Sequence, residues 1–337
     1  MRFPAGWLGP SLLAVLLWLL SLGLLHSSFH QRLSLLQQQL PHKATSQTEE
    51  WMRRRRGAEL IIYNRIPKTG STSLANGVLY ELAKPNGYHC LHLNISRNLH
   101  TMNLADQGRF IENITNWRER LPAIYHGHVA FLDFTLFGQA NPVYINVVRE
   151  PIERFLTYYY FLRYGDNYRP YLKRKRKGNT ESFDECVERD GRDCQAEGLW
   201  LQIPFFCGHH PDCWEPGNEW ALEEAKRNLL QHYLLVGLTE DLDSFVLLLQ
   251  ESLPSFFRGA YQRFTQGEKS HLRKTVKKQT PTEKTLAKLR ASPIYQMEAA
   301  FYEFAKQTFE AKKAAVLDHA GQPRPSQFHY EKIKPAL

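Results

Sequence analysis

Residues 60–80 (LIIYNRIPKTGSTSLANGVLY) constrain the fold of this chain more than any other stretch. An apolar, β-branched run leads into the loop Pro67–Thr72, and a segment with helical character follows. This order predicts a strand, a tight loop and a helix, with backbone N–H groups and the helix N-terminus aimed at one point. Such a point suits a phosphate. Lys68 adds a positive charge to it, and Gly70 permits a positive φ.

The loop differs from that of nucleoside triphosphatases, in which G-x-x-x-x-G-K-[ST] places the lysine after the last glycine. Here Lys68 precedes the only glycine of a shorter loop, and no convincing acidic magnesium motif accompanies it. A kinase of the P-loop class is therefore disfavoured. An ordinary strand–helix turn with a surface lysine stays open as an alternative, unless a second phosphate site exists elsewhere in the chain.

A second strand–loop–helix unit begins at residues 143–149 (VYINVVR), a β-branched run typical of a strand buried on both faces of a parallel sheet. Pro151 follows at a position that suits the first turn of a helix. The run LLVGL at 234–238 is a third candidate for a buried strand. The repeated unit predicts an α/β domain with a mainly parallel sheet.

The second unit also offers a phosphate site. Arg149 ends a strand, at the edge where open α/β sheets bind ligands, and Thr157 lies about two helical turns further on. A guanidinium and a hydroxyl suit a phosphomonoester. A structural ion pair of Arg149 with Glu150 or Glu153 is the alternative.

The N-terminal part of the chain has a different composition. Residues 7–25 carry no charge and are long enough to span a bilayer, so we expect a signal anchor with residues 1–6 in the cytoplasm. A cleaved signal peptide is the alternative. Residues 26–57 are polar and glutamine-rich, which predicts a stem before a lumenal domain at 58–337. The run Arg53–Arg56 that closes the stem fits a processing site, a solvated linker or part of a basic surface.

The formal net charge is +9, which favours anionic partners. In a lumenal protein, acidic glycans and phosphorylated donors are plausible partners and nucleic acid is not. The sequons that start at Asn94 and Asn113 predict N-glycosylation. Four clustered cysteines predict two disulfides, of which the pairing stays open: Cys186, Cys194, Cys207 and Cys213. Cys90 stands apart from them.

Taken together, the motifs P-K-T-G-S-T and, about eighty residues later, V-R-E-P-I-E-R resemble the two donor-binding loops of sulfotransferases. Further segments resemble the heparan sulfate 2-O-sulfotransferases over nearly all of residues 59–335: YHGH (125–128), YYYFLR (158–163), LWLQIPFFCG (199–208), FFRGA (256–260) and KSHLRKT (269–275). The resemblance implies a P-loop-like sulfotransferase fold, 3′-phosphoadenosine 5′-phosphosulfate as the donor, and no required metal. It also implies a Golgi membrane protein and a homotrimer with subunit contacts near residues 326–335.

The same resemblance assigns roles to the donor loops. Five residues would cradle the phosphosulfate: Lys68, Thr69, Gly70, Ser71 and Thr72. Arg149 and Thr157 would bind the 3′-phosphate, with Thr157 standing where the family usually has serine. Phe264 stands where the family usually has tyrosine. In a late basic loop, three residues would close over the nucleotide: Ser270, Thr275 and Lys278.

His128 is the candidate general base, with His126 beside it on the same face of a local strand. A sugar hydroxyl must lose its proton as it attacks sulfur, and a neutral imidazole can accept that proton. An isolated His-x-His would more often be structural, or could bind a metal, so the assignment depends on the family resemblance. Lys68 would stabilise the charge that develops on the leaving phosphate.

Basic side chains are expected to bind the acceptor: Arg65, His92, Arg163, Arg169, Lys173, Arg174 and Arg273. The activity that the resemblance implies is transfer of a sulfuryl group to the 2-hydroxyl of a hexuronic acid, preferably iduronic acid, in heparan sulfate. A uronyl 2-O-sulfotransferase that acts on chondroitin or dermatan sulfate is the close alternative. A glycan-binding protein without catalytic activity is a third possibility.

Overall fold

The computed structural model describes residues 59–95, 99–267, 274–318 and 320–324. Within them, five strands form one sheet in the order β2-β3-β1-β4-β5, and every pairing is parallel. The strands are β1 (Leu60–Asn64), β2 (His89–Leu93), β3 (Ala123–Gly127), β4 (Val143–Val148) and β5 (Tyr233–Leu238). The mainly parallel α/β sheet predicted from the sequence is therefore confirmed.

The register of the sheet brings the carboxyl ends of its central strands together. Ile62 of β1 lies opposite Tyr125 of β3 on one side and Tyr144 of β4 on the other. Every residue of β3, β4 and β5 is buried, whereas the edge strand β2 is only partly buried. Strand β1 lies at the centre of the sheet, with β2 and β3 on one side and β4 and β5 on the other. The loops after β1 and β4 therefore flank the switch point where open sheets bind ligands.

Helix α1 follows the first loop in three consecutive segments: α-helical Ser71–Leu74, π-helical Ala75–Leu79 and α-helical Tyr80–Ala83. Helix α3 (Pro151–Tyr164) follows β4. The remaining helices are α2 (Leu104–Asn116), α4 (Phe183–Glu188), α5 (Gln202–Cys207), α6 (Glu219–His232), α7 (Leu242–Ser252), α8 (Pro254–Phe257), α9 (Ala260–Gln266), α10 (Glu283–Arg290) and α11 (Pro293–Val316).

Helix α3 has clear start and stop signals. Pro151 occupies its first turn, and the Glu150 carboxylate caps it by accepting a hydrogen bond of 2.7 Å from the Glu153 backbone N–H. Gly165, with φ of 76°, ends it. These signals fix where the helix begins relative to Arg149, which is two residues upstream.

The segment that precedes the late basic loop is helical, although Arg258 and Arg263 make it basic. Helices α8 and α9 occupy residues 254–257 and 260–266. Pro254 starts α8, and the apolar side chains Phe257 and Phe264 are buried. Burial of these aromatic rings against the rest of the domain outweighs the basic local composition.

The structure pairs Cys186 with Cys194 and Cys207 with Cys213, and Cys90 on β2 carries a free thiol. No helix in the described ranges is both long and apolar enough to cross a membrane. Three predicted segments lie outside the described residues: the anchor at 7–25, the stem at 26–57 and the subunit contact at 326–335.

Candidate active site

The loop after β1 is tightly coiled. Lys68 and Gly70 both have positive φ, at 73° and 75°. At Gly70 a Cβ atom would lie 3.1 Å from the Cδ1 atom of Leu242, whereas Lys68 keeps a side chain in a conformation that is uncommon outside glycine. Buried Thr69 donates a hydrogen bond of 3.0 Å from Oγ1 to the Ile66 carbonyl. The loop thus turns sharply onto the first turn of α1.

The two predicted donor loops contact each other directly. Arg149 Nη1 donates a hydrogen bond of 3.3 Å to the carbonyl oxygen of Lys68. The Lys68 ammonium lies 4.0 Å from the centroid of the Phe161 ring, which belongs to α3. The ordinary strand–helix turn is therefore a poorer explanation of this loop, because a second basic loop meets it at the edge of the sheet.

The neighbourhood of Arg149 fits a phosphate. Its Nη2 atom lies 3.2 Å from Glu153 Oε2, and Lys278 forms an ion pair with the same carboxylate oxygen. The hydroxyl of Thr157 is buried and has no hydrogen-bond partner among the described residues. A buried hydroxyl one helical turn from a carboxylate that pairs with two cations adds a possible donor for phosphate oxygens.

The backbone of Arg149 is held by Gln202, a residue to which the sequence assigned no role. Gln202 Oε1 accepts from the Arg149 N–H at 2.9 Å, and Nε2 donates to the Arg149 carbonyl at 2.9 Å. Buried Glu298 accepts from Gln202 Nε2 at 3.3 Å and from the N–H groups of Leu201 and Ile203. The sequence does carry one signal for this role, because Gln202 is the only polar residue within the apolar run LWLQIPFF.

His128 follows the last residue of β3. Its Nδ1 atom lies 2.7 Å from the carbonyl oxygen of Arg65, which can only accept, so Nδ1 carries the proton. The lone pair of a neutral ring then resides on Nε2. Burial, followed by the positive charge of Arg65, lowers the pKa of His128 to about 3. The side chain is therefore a neutral imidazole at physiological pH.

His126 lies deeper than His128. It is buried within β3, its Nε2 lies 2.8 Å from the Tyr80 hydroxyl, and its ring centroid is 5.1 Å from that of His92. Burial also lowers the pKa of His126 to about 3. Because β3 ends at Gly127, the strand alternation that placed both histidines on one face does not extend to His128. Tyr80 was not singled out from the sequence.

Gly127, between the two histidines, is required by close packing. A Cβ atom there would lie 2.5 Å from the carbonyl oxygen of Leu93 on β2. Arg65 Nη2 donates to His92 Nε2 at 3.0 Å across the same edge of the sheet. Burial lowers the pKa of His92, and the charges of Arg65 and Arg169 lower it further. Arg65, His92 and His128 thus form one group at the ends of β1, β2 and β3.

Arg174 turns inward from the basic run 173–177. Its guanidinium carbon lies 4.3 Å from the Phe161 ring centroid, and Nη2 lies 3.5 Å from buried Asp166. The structure therefore brings Arg174 and Lys68 to the same aromatic ring. Lys173 and Arg169 are exposed.

Arg163 corrects one acceptor prediction. Its side chain is fully buried, with Nη2 lying 3.2 Å from Asp193 and 3.5 Å from Glu181. Its guanidinium carbon stacks 3.5 Å from the Tyr159 ring centroid. Both carboxylates come from the segment after α3, so we assign Arg163 to holding that segment on the helix and not to binding glycan.

The late basic loop is described only in part, because Ser270 and Arg273 lie outside the described residues. Thr275 forms an antiparallel bridge with Asp166, which attaches this loop to the end of α3. Its hydroxyl has no hydrogen-bond partner among the described residues. Phe264 is buried on α9. Within the described ranges, no group of three or more His, Cys, Asp or Glu side chains is arranged to hold a metal ion.

A family model and three known proteins that match this chain all represent sulfotransferases. The model of the sulfotransferase family matches residues 54–305. The chain is 54% identical to heparan sulfate 2-O-sulfotransferase 1 of Xenopus laevis over 280 residues, which cover 82% of this chain and 78% of that protein. The Homo sapiens protein of the same name is 53% identical with the same coverage. Heparan sulfate 2-O-sulfotransferase hst-2 of Caenorhabditis elegans is 51% identical over 286 residues, covering 83% of this chain and 88% of that protein.

Proposed function

This chain belongs to the sulfotransferase family, and from that membership we propose that it sulfates heparan sulfate. The donor is 3′-phosphoadenosine 5′-phosphosulfate, and the acceptor is the 2-hydroxyl of a hexuronic acid, with iduronic acid preferred. The names of the relatives support the acceptor polysaccharide. The basic loops at the sheet edge support an anionic donor and an anionic glycan.

One observation carries the proposal: the hydrogen bond from His128 Nδ1 to the Arg65 carbonyl. It fixes the tautomer in which Nε2 is the proton acceptor, as a general base requires. The same Arg65 holds His92 through its side chain. Arg65, itself a candidate acceptor-binding residue, therefore contacts both the proposed base His128 and the candidate acceptor-binding residue His92. It belongs to the same loop as Lys68.

The reaction is an in-line displacement at sulfur. The uronic acid oxygen forms a bond to sulfur while His128 Nε2 takes its proton, and the bond between sulfur and the bridging oxygen of the 5′-phosphate breaks. The electron pair of that bond goes to the departing phosphate, which gains negative charge. Lys68 and the N–H groups at the start of α1 stabilise this charge more in the transition state than in the ground state.

Thr69, Gly70, Ser71 and Thr72 complete the cradle of the 5′-phosphosulfate. At the other end of the nucleotide, the Arg149 guanidinium and the Thr157 hydroxyl hold the 3′-phosphate. Ser270, Thr275 and Lys278 of the late loop cover the nucleotide, and the Phe264 ring makes an aromatic contact with it. Arg65, His92, Arg169, Arg174 and Arg273 bind sulfate and carboxylate groups of the acceptor.

We further propose that the protein is a type II Golgi membrane protein, anchored by residues 7–25, glycosylated at Asn94 and Asn113, and assembled as a homotrimer. The uncharged run at 7–25 and the two sequons support the anchor and the lumenal placement, whereas the homotrimer rests on family membership alone. Both asparagines are exposed. Exposure of the acceptor side chain is what transfer of a glycan requires.

Disaccharide mapping tests the acceptor. The detergent-solubilised full chain is incubated with ³⁵S-labelled donor and with N-sulfated heparosan, its epimerised form, or dermatan sulfate. We expect label on the 2-hydroxyl of uronic acid, most strongly in the epimerised heparosan. Label confined to dermatan sulfate would instead identify a uronyl 2-O-sulfotransferase of the other glycan class, and label at a glucosamine position would refute the proposed regiochemistry.

A further inference from the structure

A carboxylate occupies part of the site where the donor's 3′-phosphate is proposed to bind. Glu153 Oε2 accepts from Arg149 Nη2 at 3.2 Å and forms a second ion pair with Lys278. Arg149 and Lys278 both belong to the proposed nucleotide-binding group. The Glu153 side chain is 45% exposed, so it can leave both partners without opening the core.

The spacing along the chain places this carboxylate beside the third proposed contact. Arg149, Glu153 and Thr157 follow one another at intervals of four residues, and on α3 the last two lie on the same face one turn apart. The Glu153 carboxylate has two cationic partners. The Thr157 hydroxyl, one turn away, is buried and has no partner among the described residues.

A phosphate that reaches Thr157 and Arg149 meets the carboxylate at close range. Two anions repel at such a distance, and the repulsion is strong where water is partly excluded. Arg149 can keep its hydrogen bond from Nη1 to the Lys68 carbonyl and offer Nη2 to the phosphate. Lys278 can likewise exchange one anionic partner for another. Phosphate binding therefore requires Glu153 to move away.

We propose that Glu153 is the resident counter-ion of the 3′-phosphate subsite. The nucleotide displaces it from Arg149 and Lys278, and this competition weakens binding of the bisphosphate. The inference rests on the proposed function, because it takes the donor assignment as given. Its consequence is that Glu153 favours release of adenosine 3′,5′-bisphosphate after each turnover, at the expense of donor affinity.

The substitution Glu153→Gln keeps the size of the side chain and removes its charge. A matched control is Glu188→Gln on α4, because Glu188 forms an exposed pair with Lys284 at 3.2 Å outside the donor loops. Isothermal titration of the full chain with adenosine 3′,5′-bisphosphate and with adenosine 5′-monophosphate separates the 3′-phosphate from the rest of the ligand. Thermal unfolding without ligand checks that each variant is folded.

We expect Glu153→Gln to bind the bisphosphate about fivefold more tightly, a gain that shrinks at high salt, while its affinity for the monophosphate is unchanged. The control should match the wild type with both ligands. Unchanged or weaker bisphosphate binding by Glu153→Gln, or equal tightening of both ligands, overturns the proposal. If Glu153→Gln does not fold, Glu153→Ala is held to the same criteria. A wild-type chain that binds neither nucleotide refutes the donor assignment and this inference with it.

Discussion

At the scale of single residues, the position of one proton decides whether His128 is a base. Its Nδ1–H is committed to the Arg65 carbonyl, so only Nε2 is available to the acceptor. We expect His128→Ala to lower kcat by at least about 100-fold. Heparin affinity should stay close to that of the wild type, because the cations proposed to bind sulfate groups remain.

His89→Ala is the matched control, since His89 is a partly exposed histidine of β2 whose Nδ1 lies 3.0 Å from the Arg120 carbonyl. It should retain sulfotransfer. Activity of His128→Ala within a few fold of the wild type would remove His128 from the mechanism.

His126 makes stability depend on pH. Its pKa in the folded chain is about 3, below the value of about 6.5 in an unfolded chain. At pH values between these two pKa values, the unfolded state binds more protons than the folded state. The contribution of His126 to the unfolding free energy is therefore fully present above about pH 6.5 and decreases as the pH falls. We expect His126 to account for a loss of about 2 kcal/mol at pH 5, measured as the change in unfolding free energy by urea titration.

The variant His126→Gln cannot titrate and should therefore lose less stability between pH 7.5 and pH 5 than the wild type does. The comparison is made within each protein, which cancels any loss common to both pH values. Equal pH dependence of the two proteins would show that His126 is not neutralised by burial.

At the scale of elements, the helix α5 holds the residue that follows β4, Arg149, through the Gln202 amide. This amide satisfies both backbone groups of Arg149, and Glu298 of α11 holds its Nε2 end. We expect Gln202→Leu to raise the KM for the donor about tenfold, because the freed backbone groups let the Arg149 side chain shift. The KM for the glycan should change little.

The readout that separates positioning from general destabilisation is this difference between the two KM values. Gln307→Leu, on the exposed face of α11, is the control and should change neither. If Gln202→Leu raises both KM values equally, the amide has only a structural role.

The spacing of β2 and β3 depends on Gly127. A Cβ atom there would lie 2.5 Å from a backbone oxygen of β2, so Gly127→Ala must push the two strands apart. We expect a loss of about 3 kcal/mol in unfolding free energy, together with lower activity, because His126 and His128 flank the glycine.

Gly108→Ala serves for comparison, since its added Cβ would meet only Phe137 at 3.5 Å, an ordinary contact, within α2. That change should be neutral or stabilising, as alanine favours a helix. Similar losses for both variants would indicate that the tight contact at Gly127 relaxes without cost.

Local sequence predicted the elements better than it predicted which way their side chains point. Apolar runs located β1, β4 and β5, because strands buried on both faces are uniformly apolar. Arg163 was assigned to the acceptor, yet its partners Glu181 and Asp193 lie 18 and 30 residues away. Likewise, Gln202 lies 53 positions from Arg149, whose backbone it holds. Contacts of that range depend on how the chain folds back on itself, which spacing alone does not encode.

At the scale of the whole molecule, the proposed nucleotide site joins loops that the chain separates widely. The first loop follows β1, Arg149 follows β4, and Lys278 comes from the late segment that pairs with the end of α3. A ligand that binds all three should therefore stabilise the domain as a unit. At a concentration one hundred times its Kd, adenosine 3′,5′-bisphosphate should add about 2.7 kcal/mol to the unfolding free energy.

Differential scanning fluorimetry measures this as a rise in Tm that grows with ligand concentration. Arg149→Ala should abolish most of the rise, whereas Arg290→Ala, an exposed residue of α10, should leave it intact. An undiminished rise in Arg149→Ala would place the nucleotide elsewhere on the protein.

The Phe161 ring has a consequence for how the two substrates meet. The Lys68 ammonium and the Arg174 guanidinium both lie within 4.3 Å of its centroid, and the first is assigned to the donor while the second is assigned to the acceptor. A single side chain on α3 therefore contacts one residue assigned to each substrate. The separation between the two substrates then depends on the contacts that both cations make with this one helix.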